Sequence, residues 1–374
     1  MPSPSGIESE FFPGSVLLPG LVNAHTHLEL TGLEHQVEED DFPAWIRTLM
    51  ARKAERTPDD FLIAARRGVA DCHAAGVTTV ADTGDSGTVV RALAEAGGSG
   101  IAYLEVFGPH PDQASAQLTA FETRFASLRP FENSRVRLGV SPHAPYSVSG
   151  PLYRLVGEWA RRESLPLAVH LAESAAESDL LEEAAGPFAE MWRARGIPLP
   201  ALPGCSPVEW LDRHRFLGES TLCIHVVRPT GSDLHRLAQR GVGIAHCPRS
   251  NRRHLHGDAP LAAMLDAGLR VGVGTDSVAS VSPLDLLAEA RAAAALAGLD
   301  AEDALKLCTI GAARALGLGA EVGGLLQGKW GDAVALTLPE GVDESRLLDT
   351  VVTRDRDAVA ATFIGGRAVF RRAA

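Results

Sequence analysis

The chain has 374 residues, of which 45% are hydrophobic and 22% are charged, and its formal net charge is −12. This length allows two ordinary domains or a single (β/α)₈ barrel of about 250 residues with room to spare. No apolar run reaches the roughly 18 residues of a membrane span, and residues 1–10 lack the features of a secretory signal. The negative charge and the absence of a Lys/Arg-rich run disfavour nucleic-acid and membrane partners. We therefore expect a cytoplasmic protein that acts on a small molecule.

Five cysteines are spread along the chain, at positions 72, 205, 223, 247 and 308. Their odd number and the lack of a CxxC pair argue against a disulfide framework and against a cysteine zinc site. We expect these thiols to be reduced and mostly buried.

Short β-rich runs alternate along the chain with helical segments rich in Ala, Leu and Arg, a pattern typical of parallel strands joined by crossover helices. There are eight such runs, and they cover residues 15–27, 77–82, 100–107, 136–143, 167–170, 222–227, 242–246 and 269–276. Eight is the strand number of a (β/α)₈ TIM barrel. We assign the barrel to residues 15–321.

Two segments depart from this alternation. Residues 175–220 form a long insertion between the fifth and sixth runs, and its aromatic residues, including Trp192 and Trp210, favour a pocket wall over disorder. The other segment follows the barrel, where glycines separate short strands. It predicts a small β-sandwich unit made of residues 322–374 together with residues 1–14.

A polar or ionisable residue closes nearly every predicted strand. In a parallel barrel these strand ends meet at one mouth, where barrel enzymes place their catalytic residues. A functional origin is therefore favoured for the set, although a single member such as Asp82 or Glu105 could instead cap a helix or bind an arginine. The set is His25, His27, Asp82, Glu105, His143, His170, His225, His246 and Asp276.

Four of these residues can form a metal site. His25 and His27 are alternate residues of one strand and so point to the same side, where both imidazoles can bind one ion. A hydrolytic metal needs three or four protein ligands and an open position for water, and His170 and Asp276 complete such a set. His225 could add a ligand, bridge to a second metal or hydrogen-bond the water. We favour the last role, because no lysine is evident at a strand end to bridge two ions.

Glu173 follows His170 by three residues and is the candidate general acid/base, which would carry a proton from the water to the substrate. The alternative is a loop glutamate that pairs with an arginine or caps a helix. Other catalytic signatures are missing from the sequence. There is no HExxH helix, no PCxxC motif, no GxSxG elbow, no P-loop and no strand–GxGxxG–helix unit.

Five motifs, in this order, resemble the amidohydrolase superfamily in its cytosine deaminase and chlorohydrolase-like branch: PGLVNAHTH at 19–27, SPH at 141–143, HLAE at 170–173, HCPRSN at 246–251 and GTDS at 274–277. The resemblance implies one divalent metal, usually zinc and sometimes iron, held by His25, His27, His170 and Asp276. It implies that Glu173 shuttles protons, that His225 orients the water, and that Asp276 shares the water's proton. The reaction implied is hydrolytic deamination of a nitrogen heterocycle, and the family habit of forming a homodimer comes with it.

Within that branch, the motifs HLEL at 27–30, FPAWI at 42–46 and CPRSN at 247–251 are most similar to the aminofutalosine deaminases of menaquinone synthesis, which convert an adenine ring to hypoxanthine. This similarity implies that His143 contacts the base or ribose and that Trp45 helps to bind the substrate. A guanidinium such as Arg249 would bind the substrate's benzoate, or would serve a structural role.

Alternatives to that substrate remain open. Within the superfamily they are deamination of guanine, cytosine or S-adenosylhomocysteine, and dechlorination of a triazine. A barrel that only binds ligands is a remote alternative, because the metal-site residues, Glu173 and His225 are all present. The branch usually carries several dozen residues of β structure before its first barrel strand. Residues 1–14 are too few for that, so we expect either that the small unit consists mainly of C-terminal strands or that the true start of the chain lies upstream of residue 1.

Overall fold

A computed structural model describes residues 10–200 and 204–373 of the chain. This part contains twelve β-strands: β1 Ser15–Pro19, β2 Leu21–Thr26, β3 Val77–Gly84, β4 Ser99–Val106, β5 Val136–Pro142, β6 Leu167–Leu171, β7 Thr221–His225, β8 Gly243–His246, β9 Arg270–Val273, β10 Ala333–Thr337, β11 Val359–Ile364 and β12 Arg367–Arg371. Strands β2 to β9 form one sheet, and the other four strands form a second.

The larger sheet is the predicted barrel. Each strand from β2 to β9 pairs in parallel with the next one along the chain. The sheet closes between its first and last strands, because Thr26 forms a parallel bridge with Asp276, whose backbone N–H donates to the carbonyl of His25 at 3.1 Å. Asn23 adds two side-chain hydrogen bonds to Thr275 across the same junction. The predicted (β/α)₈ architecture is confirmed.

Helices connect the strands and cover the outside of the barrel. Capping boxes begin two of them, with Thr57 and Thr230 as the N-cap residues. The α-helices of the described residues are α1 Phe42–Ala54, α2 Pro58–Ala74, α3 Thr88–Ala96, α4 Ala114–Leu128, α5 Gly150–Arg162, α6 Ala175–Ser178, α7 Gly186–Ala194, α8 Pro207–Arg213, α9 Gly231–Arg240, α10 Pro248–Arg253, α11 Leu261–Asp266, α12 Leu286–Ala297, α13 Ala301–Leu307, α14 Ile310–Ala315 and α15 Leu347–Val352. Short 3₁₀ segments lie at Leu28–Leu30, Pro111–Gln113, Arg129–Phe131, Glu344–Arg346 and Arg356–Ala358, and a π-helical turn at Asp179–Glu183.

The first predicted strand, at residues 15–27, is two strands that belong to different sheets. The β-strand is interrupted at Gly20, whose N–H donates to the carbonyl of Asp332 at 3.0 Å. A side chain at Gly20 would overlap Thr78, so the close approach of these two segments requires glycine. β1 therefore pairs with a C-terminal strand, and the barrel begins with β2.

The smaller sheet is antiparallel, in the order β1-β10-β11-β12. Strands β11 and β12 form a hairpin, because the chain turns at Gly365 and Gly366, both of which have a positive φ. The sheet lies against helix α2, where the Thr362 hydroxyl donates to the carbonyl of His73 at 2.7 Å. The small unit thus consists mainly of C-terminal strands, as predicted.

The insertion at residues 175–220 is mostly helical, with α6, the π-helical turn, α7 and α8. Its two tryptophans are buried in the core, and the indole N–H of Trp192 donates to the carbonyl of Tyr146 at 2.8 Å. All five cysteines are buried, as expected. Within residues 10–200 and 204–373, no helix has the length and apolar character that crossing a membrane requires.

Candidate active site

The strand ends bring four imidazoles and one carboxylate together at the mouth of the barrel. His25 and His27 lie at the end of β2, His170 lies in β6, His225 ends β7, and Asp276 follows β9. The ring centres of His25 and His27 are 4.7 Å apart, and that of His170 lies 5.1 Å from His25 and 5.4 Å from His27. The predicted metal ligands are therefore neighbours in space.

We define the donor cluster as His25, His27, His170 and Asp276. Oδ1 of Asp276 lies 3.6 Å from Nε2 of His25 and 3.5 Å from Nε2 of His27. Ring nitrogens of His25, His170 and His225 also lie within 4.8 Å of one another. His225 thus stands close enough to be either a fifth ligand or the group that contacts the water.

The donor cluster fits a metal ion chemically. Both ring nitrogens of His25 are buried, and neither has a hydrogen-bond partner among the residues that the structure describes. Buried polar atoms are rarely left in this state, and an ion would satisfy one of them. Burial lowers the pKa of His25, of His170 and of His27, the last to about 3. These imidazoles are therefore neutral, which is the form that binds metal.

A second layer of contacts orients these side chains. Nδ1 of His170 donates to the carbonyl of His143 at 3.0 Å, which leaves Nε2 of His170 for a ligand. The hydroxyl of Ser250 donates to Oδ2 of Asp276 at 2.5 Å, and the N–H of Ser277 donates to Oδ1 at 2.7 Å. Burial opposes the charge of Asp276, but the imidazole of His25 and its neighbours outweigh that effect and hold the pKa well below its usual range. Asp276 is therefore a fixed anion.

Glu173 stands beside the donor cluster and is buried. Its backbone N–H and that of Ala172 both donate to the carboxyl group of Glu177 at 2.9 Å, which fixes the turn after β6. Ala172 has a positive φ of 50° in this turn. Burial raises the pKa of Glu173, but His225 and His256 have the larger combined effect and lower it to about 2. Glu173 is thus ionised and ready to accept a proton.

A cleft of about 480 Å³ leads to this cluster. His27, His170, Asp276 and Glu173 contribute to its lining, so the reacting groups face it. Its walls are largely apolar, and besides Glu173, Asp276 and several histidines the cleft is lined by four charged or acidic side chains. The apolar wall includes Phe42, Trp45, Phe107, Tyr146, Phe188 and Met191, and the four additional residues are Arg47, Lys53, Glu105 and Arg195. An apolar cleft with a few convergent polar groups is typical of a small-molecule site.

Comparison with known proteins identifies the family. The pattern of the Amidohydrolase family matches residues 16–369. The chain belongs to the amidohydrolase family. The aminodeoxyfutalosine deaminase of Deinococcus radiodurans is 33% identical over 327 residues, which cover 81% of this chain and 74% of that protein. The 5-methylthioadenosine/S-adenosylhomocysteine deaminase of Syntrophobacter fumaroxidans is 31% identical over 336 residues, covering 86% and 72%.

One of the similar solved structures contains zinc. An adenosine deaminase from Xanthomonas campestris with bound zinc has a TM-score of 0.80 and 25% identity, and the match covers 95% of this chain and 80% of that one. The resemblance to the amidohydrolases and the predicted enzyme class, a hydrolytic deaminase acting on C–N bonds, are confirmed by these relatives.

The structure brings most of the predicted site residues of this amidohydrolase together. Trp45 and His143 line the cleft, as do Glu173, His225 and three members of the donor cluster. Arg249 does not: its backbone N–H donates to Glu289 at 3.1 Å, and its guanidinium lies 3.5 Å from the same carboxylate, away from the cleft lining. The structural role that we considered for Arg249 is the one that the contacts support.

Two other strand-end residues lie outside the cleft lining. Asp82 accepts a 2.6 Å hydrogen bond from the N–H of Leu28, where a 3₁₀ turn begins, so it has the capping role that we left open. His246 is fully buried at the end of β8.

Sequence reasoning missed three residues of the site. His254 lines the cleft, and His256 lies 3.3 Å from the carboxylate of Glu173. Both follow α10 in an HxH pattern like that of His25 and His27, but no predicted strand ends there to draw attention to it. Glu177 was missed as well. The pattern S-x-x-E from Ser174 to Glu177 is a helix-start signal that could have revealed it.

Glu105 lines the cleft and is predicted to make stability depend on pH. Burial raises its pKa to about 8, although Lys53 opposes this. A carboxyl group whose pKa is higher in the folded state stabilises the protein below its unfolded pKa, and this contribution is lost as pH rises through the folded value. Between pH 7 and 9, the free energy of unfolding of Glu105→Gln should fall by about 1 kcal/mol less than that of the wild type.

Urea denaturation of both proteins at pH 7 and pH 9 measures this difference. Two other buried carboxyl groups, Glu177 and Glu289, also have a pKa of about 8, but they are present in both proteins and cancel in the comparison. Parallel pH dependences for the wild type and the variant would show that Glu105 is already ionised at pH 7.

Proposed function

We propose that this amidohydrolase is a zinc-dependent deaminase of the adenine ring, with aminodeoxyfutalosine as its substrate in menaquinone synthesis. The observation that carries the proposal is the position of Glu173, an ionised carboxylate that faces the cleft beside the donor cluster. The deaminase relatives support the adenine ring, because their names describe adenine nucleosides or derivatives of them.

The donor cluster would hold one divalent ion, with His25, His27, His170 and Asp276 as ligands. When bound, the ion supplies Lewis-acid activation of a water molecule. Zinc is proposed over iron because imidazole and carboxylate ligands suit it, and because a zinc-bound deaminase shares this fold.

Two side chains at the donor cluster carry the two proton transfers of the reaction, one each. Glu173 takes a proton from the attacking water and delivers it to the ring nitrogen next to the carbon that carries the amino group. His225 has Nε2 at 3.5 Å from Oε1 of Glu173 and contacts the water from that side. Asp276 receives the second proton and passes it to the leaving amine. One water is consumed, one ammonia is released, and a carbonyl replaces the amine.

The cleft suits a flat heterocycle with a substituent. Trp45 and Phe42 are nearly parallel to each other, with ring centres 6.0 Å apart, and form one apolar wall. His143 is held by a 2.8 Å hydrogen bond between its Nδ1 and the Ser147 hydroxyl, so Nε2 is left to contact the base or ribose.

A panel of substrates tests the proposal. Metal-analysed protein is offered aminodeoxyfutalosine, 5-methylthioadenosine, S-adenosylhomocysteine, adenosine, guanine and cytosine, and kcat/KM is measured from the ultraviolet change and from ammonia release. We expect aminodeoxyfutalosine to have the highest kcat/KM. A preference for methylthioadenosine or S-adenosylhomocysteine would change the substrate that we assign and leave the proposed deamination reaction unchanged. No turnover of any adenine compound by metal-loaded protein would contradict the proposal.

The carboxylate that the resemblance implies for this substrate needs a cationic partner, and Arg195 is the candidate. Arg47 and Arg195 line the cleft, and neither has an ion-pair partner in the described part of the chain. Replacing Arg195 with Met should raise KM for aminodeoxyfutalosine about 10-fold, the usual scale of one charge-assisted hydrogen bond, and should leave KM for 5-methylthioadenosine unchanged.

Arg249→Met is the matched control, because it removes a guanidinium that binds Glu289 instead of lining the cleft. Equal effects of Arg195→Met on the charged and the uncharged substrate would refute the assignment. A selective effect of Arg249→Met on the charged substrate would instead show that Arg249, as the sequence suggested, binds the substrate's carboxylate.

A further inference from the structure

The two carboxylate oxygens of Glu173 have different surroundings. Oε1 lies 3.3 Å from Nε2 of His256 and 3.5 Å from Nε2 of His225. For both imidazoles, the nearer oxygen of the Glu173 carboxylate is thus Oε1 and not Oε2. Oε1 therefore lies near two imidazoles, and Oε2 is the oxygen farther from them.

His256 is itself held firmly in place. It is 5% exposed, its backbone N–H donates to the carbonyl of Asn251 at 2.9 Å, and its ring is perpendicular to that of Phe42, with the ring centres 4.5 Å apart. Its Nε2 is buried and makes no hydrogen bond within the described part of the chain, and it lies 3.3 Å from Oε1 of Glu173, close enough for a small side-chain adjustment to form one. His256 is not among the residues that line the cleft, whereas His254, two positions before it, is. The imidazole of His256 thus faces Glu173 and not the substrate.

We propose that His256 is the positioning residue of Glu173: its Nε2–H donates to Oε1 and holds the carboxylate with Oε2 directed into the cleft, where the proton is transferred. This inference rests on the proposed function, because it assigns His256 a role only through the proton transfer of Glu173. An unrestrained glutamate has several rotamers, and only those that direct an oxygen at the reacting atoms are productive.

Loss of this contact should affect the chemical step and spare binding. Removing a hydrogen bond to a charged group typically costs 10-fold to 100-fold, and here we expect the loss in kcat. KM should not change, because the cleft lining is intact, and the metal content should not change, because the donor cluster is untouched.

Two substitutions separate the hydrogen bond from the packing. His256→Phe keeps a ring against Phe42 and removes the donor, whereas His256→Gln keeps an N–H donor near the Nε2 position and removes the ring. We expect kcat of His256→Phe to fall by at least about 10-fold and that of His256→Gln to stay within about 3-fold of the wild type. The opposite order would show that His256 serves only packing and would overturn the inference. If the larger Phe ring lowers the melting temperature, His256→Leu provides the same comparison.

A double-mutant cycle with Glu173→Gln completes the test. If His256 acts through Glu173, then adding His256→Phe to Glu173→Gln lowers the residual kcat no further, since the group to be positioned is gone. Multiplicative effects would overturn the inference. Failure of the proposed function has a different signature, because the wild-type protein would then not deaminate any adenine compound.

Discussion

Glu173→Gln should lower kcat by about 10²–10⁴-fold and leave the metal bound, because the variant cannot accept or release the transferred proton. The substitution preserves the size of the side chain and its place between His225 and His256. It leaves the donor cluster unaltered. KM should stay within a few fold of the wild type. Steady-state kinetics with the best substrate of the panel, together with metal analysis of the same sample, gives both quantities.

Glu289→Gln is a suitable control for this substitution. Glu289 is also buried, but it pairs with Arg249 and lies outside the cleft lining. Its variant should retain kcat, which would show that the loss in Glu173→Gln does not come from replacing any buried carboxyl group with an amide. Near-normal turnover by Glu173→Gln would show that a group other than Glu173 transfers the proton.

The second large effect concerns Asp276. Asp276→Ala should lose both activity and metal, because it removes the anionic member of the donor cluster and the oxygen shared by His25 and His27. It also leaves the buried hydroxyl of Ser250 without its acceptor, so the melting temperature should fall as well. Elemental analysis after gel filtration measures the metal, and added zinc should restore little activity.

Asp82→Asn is the matched control for Asp276→Ala. Asp82 is likewise a buried carboxyl at a strand end, but it lies outside the donor cluster, and burial raises its pKa well above the usual range. Burial therefore favours its neutral form, and asparagine can still accept the hydrogen bond from Leu28. Asp82→Asn should retain its metal. Full metal occupancy in Asp276→Ala would mean that Asp276 is not a ligand.

The barrel and the donor cluster could be predicted because both depend on local sequence. Apolar runs that end in an ionisable residue identify parallel strands and place their ends at one mouth. His25, His170 and Asp276 come from distant parts of the chain, yet each lies at or just beyond the C-terminal end of its own strand. The positions of the strands were therefore sufficient to predict that these side chains are close in space.

What the sequence could not show depends on contacts between distant residues. The break at Gly20 is imposed by Thr78, which lies on a neighbouring strand. The direction of the Arg249 side chain is set by Glu289 on α12, and no local pattern reveals that pairing. His256 follows a short helix, and only the folded chain places it beside Glu173.

The junction that closes the barrel is also the place where the donor cluster is built. His25 and His27 lie on the first barrel strand and Asp276 just beyond the last, and the backbone contact between them joins residues 250 positions apart. At Gly274, a side chain would collide with the backbone of His25, so the two edges of the sheet approach as closely as they can. An ion bound there would cross-link the ends of the barrel, as a disulfide would across a very long loop. Metal binding would thus be thermodynamically linked to the stability of the closed barrel, and a substitution that weakens the junction should lower the affinity for the ion.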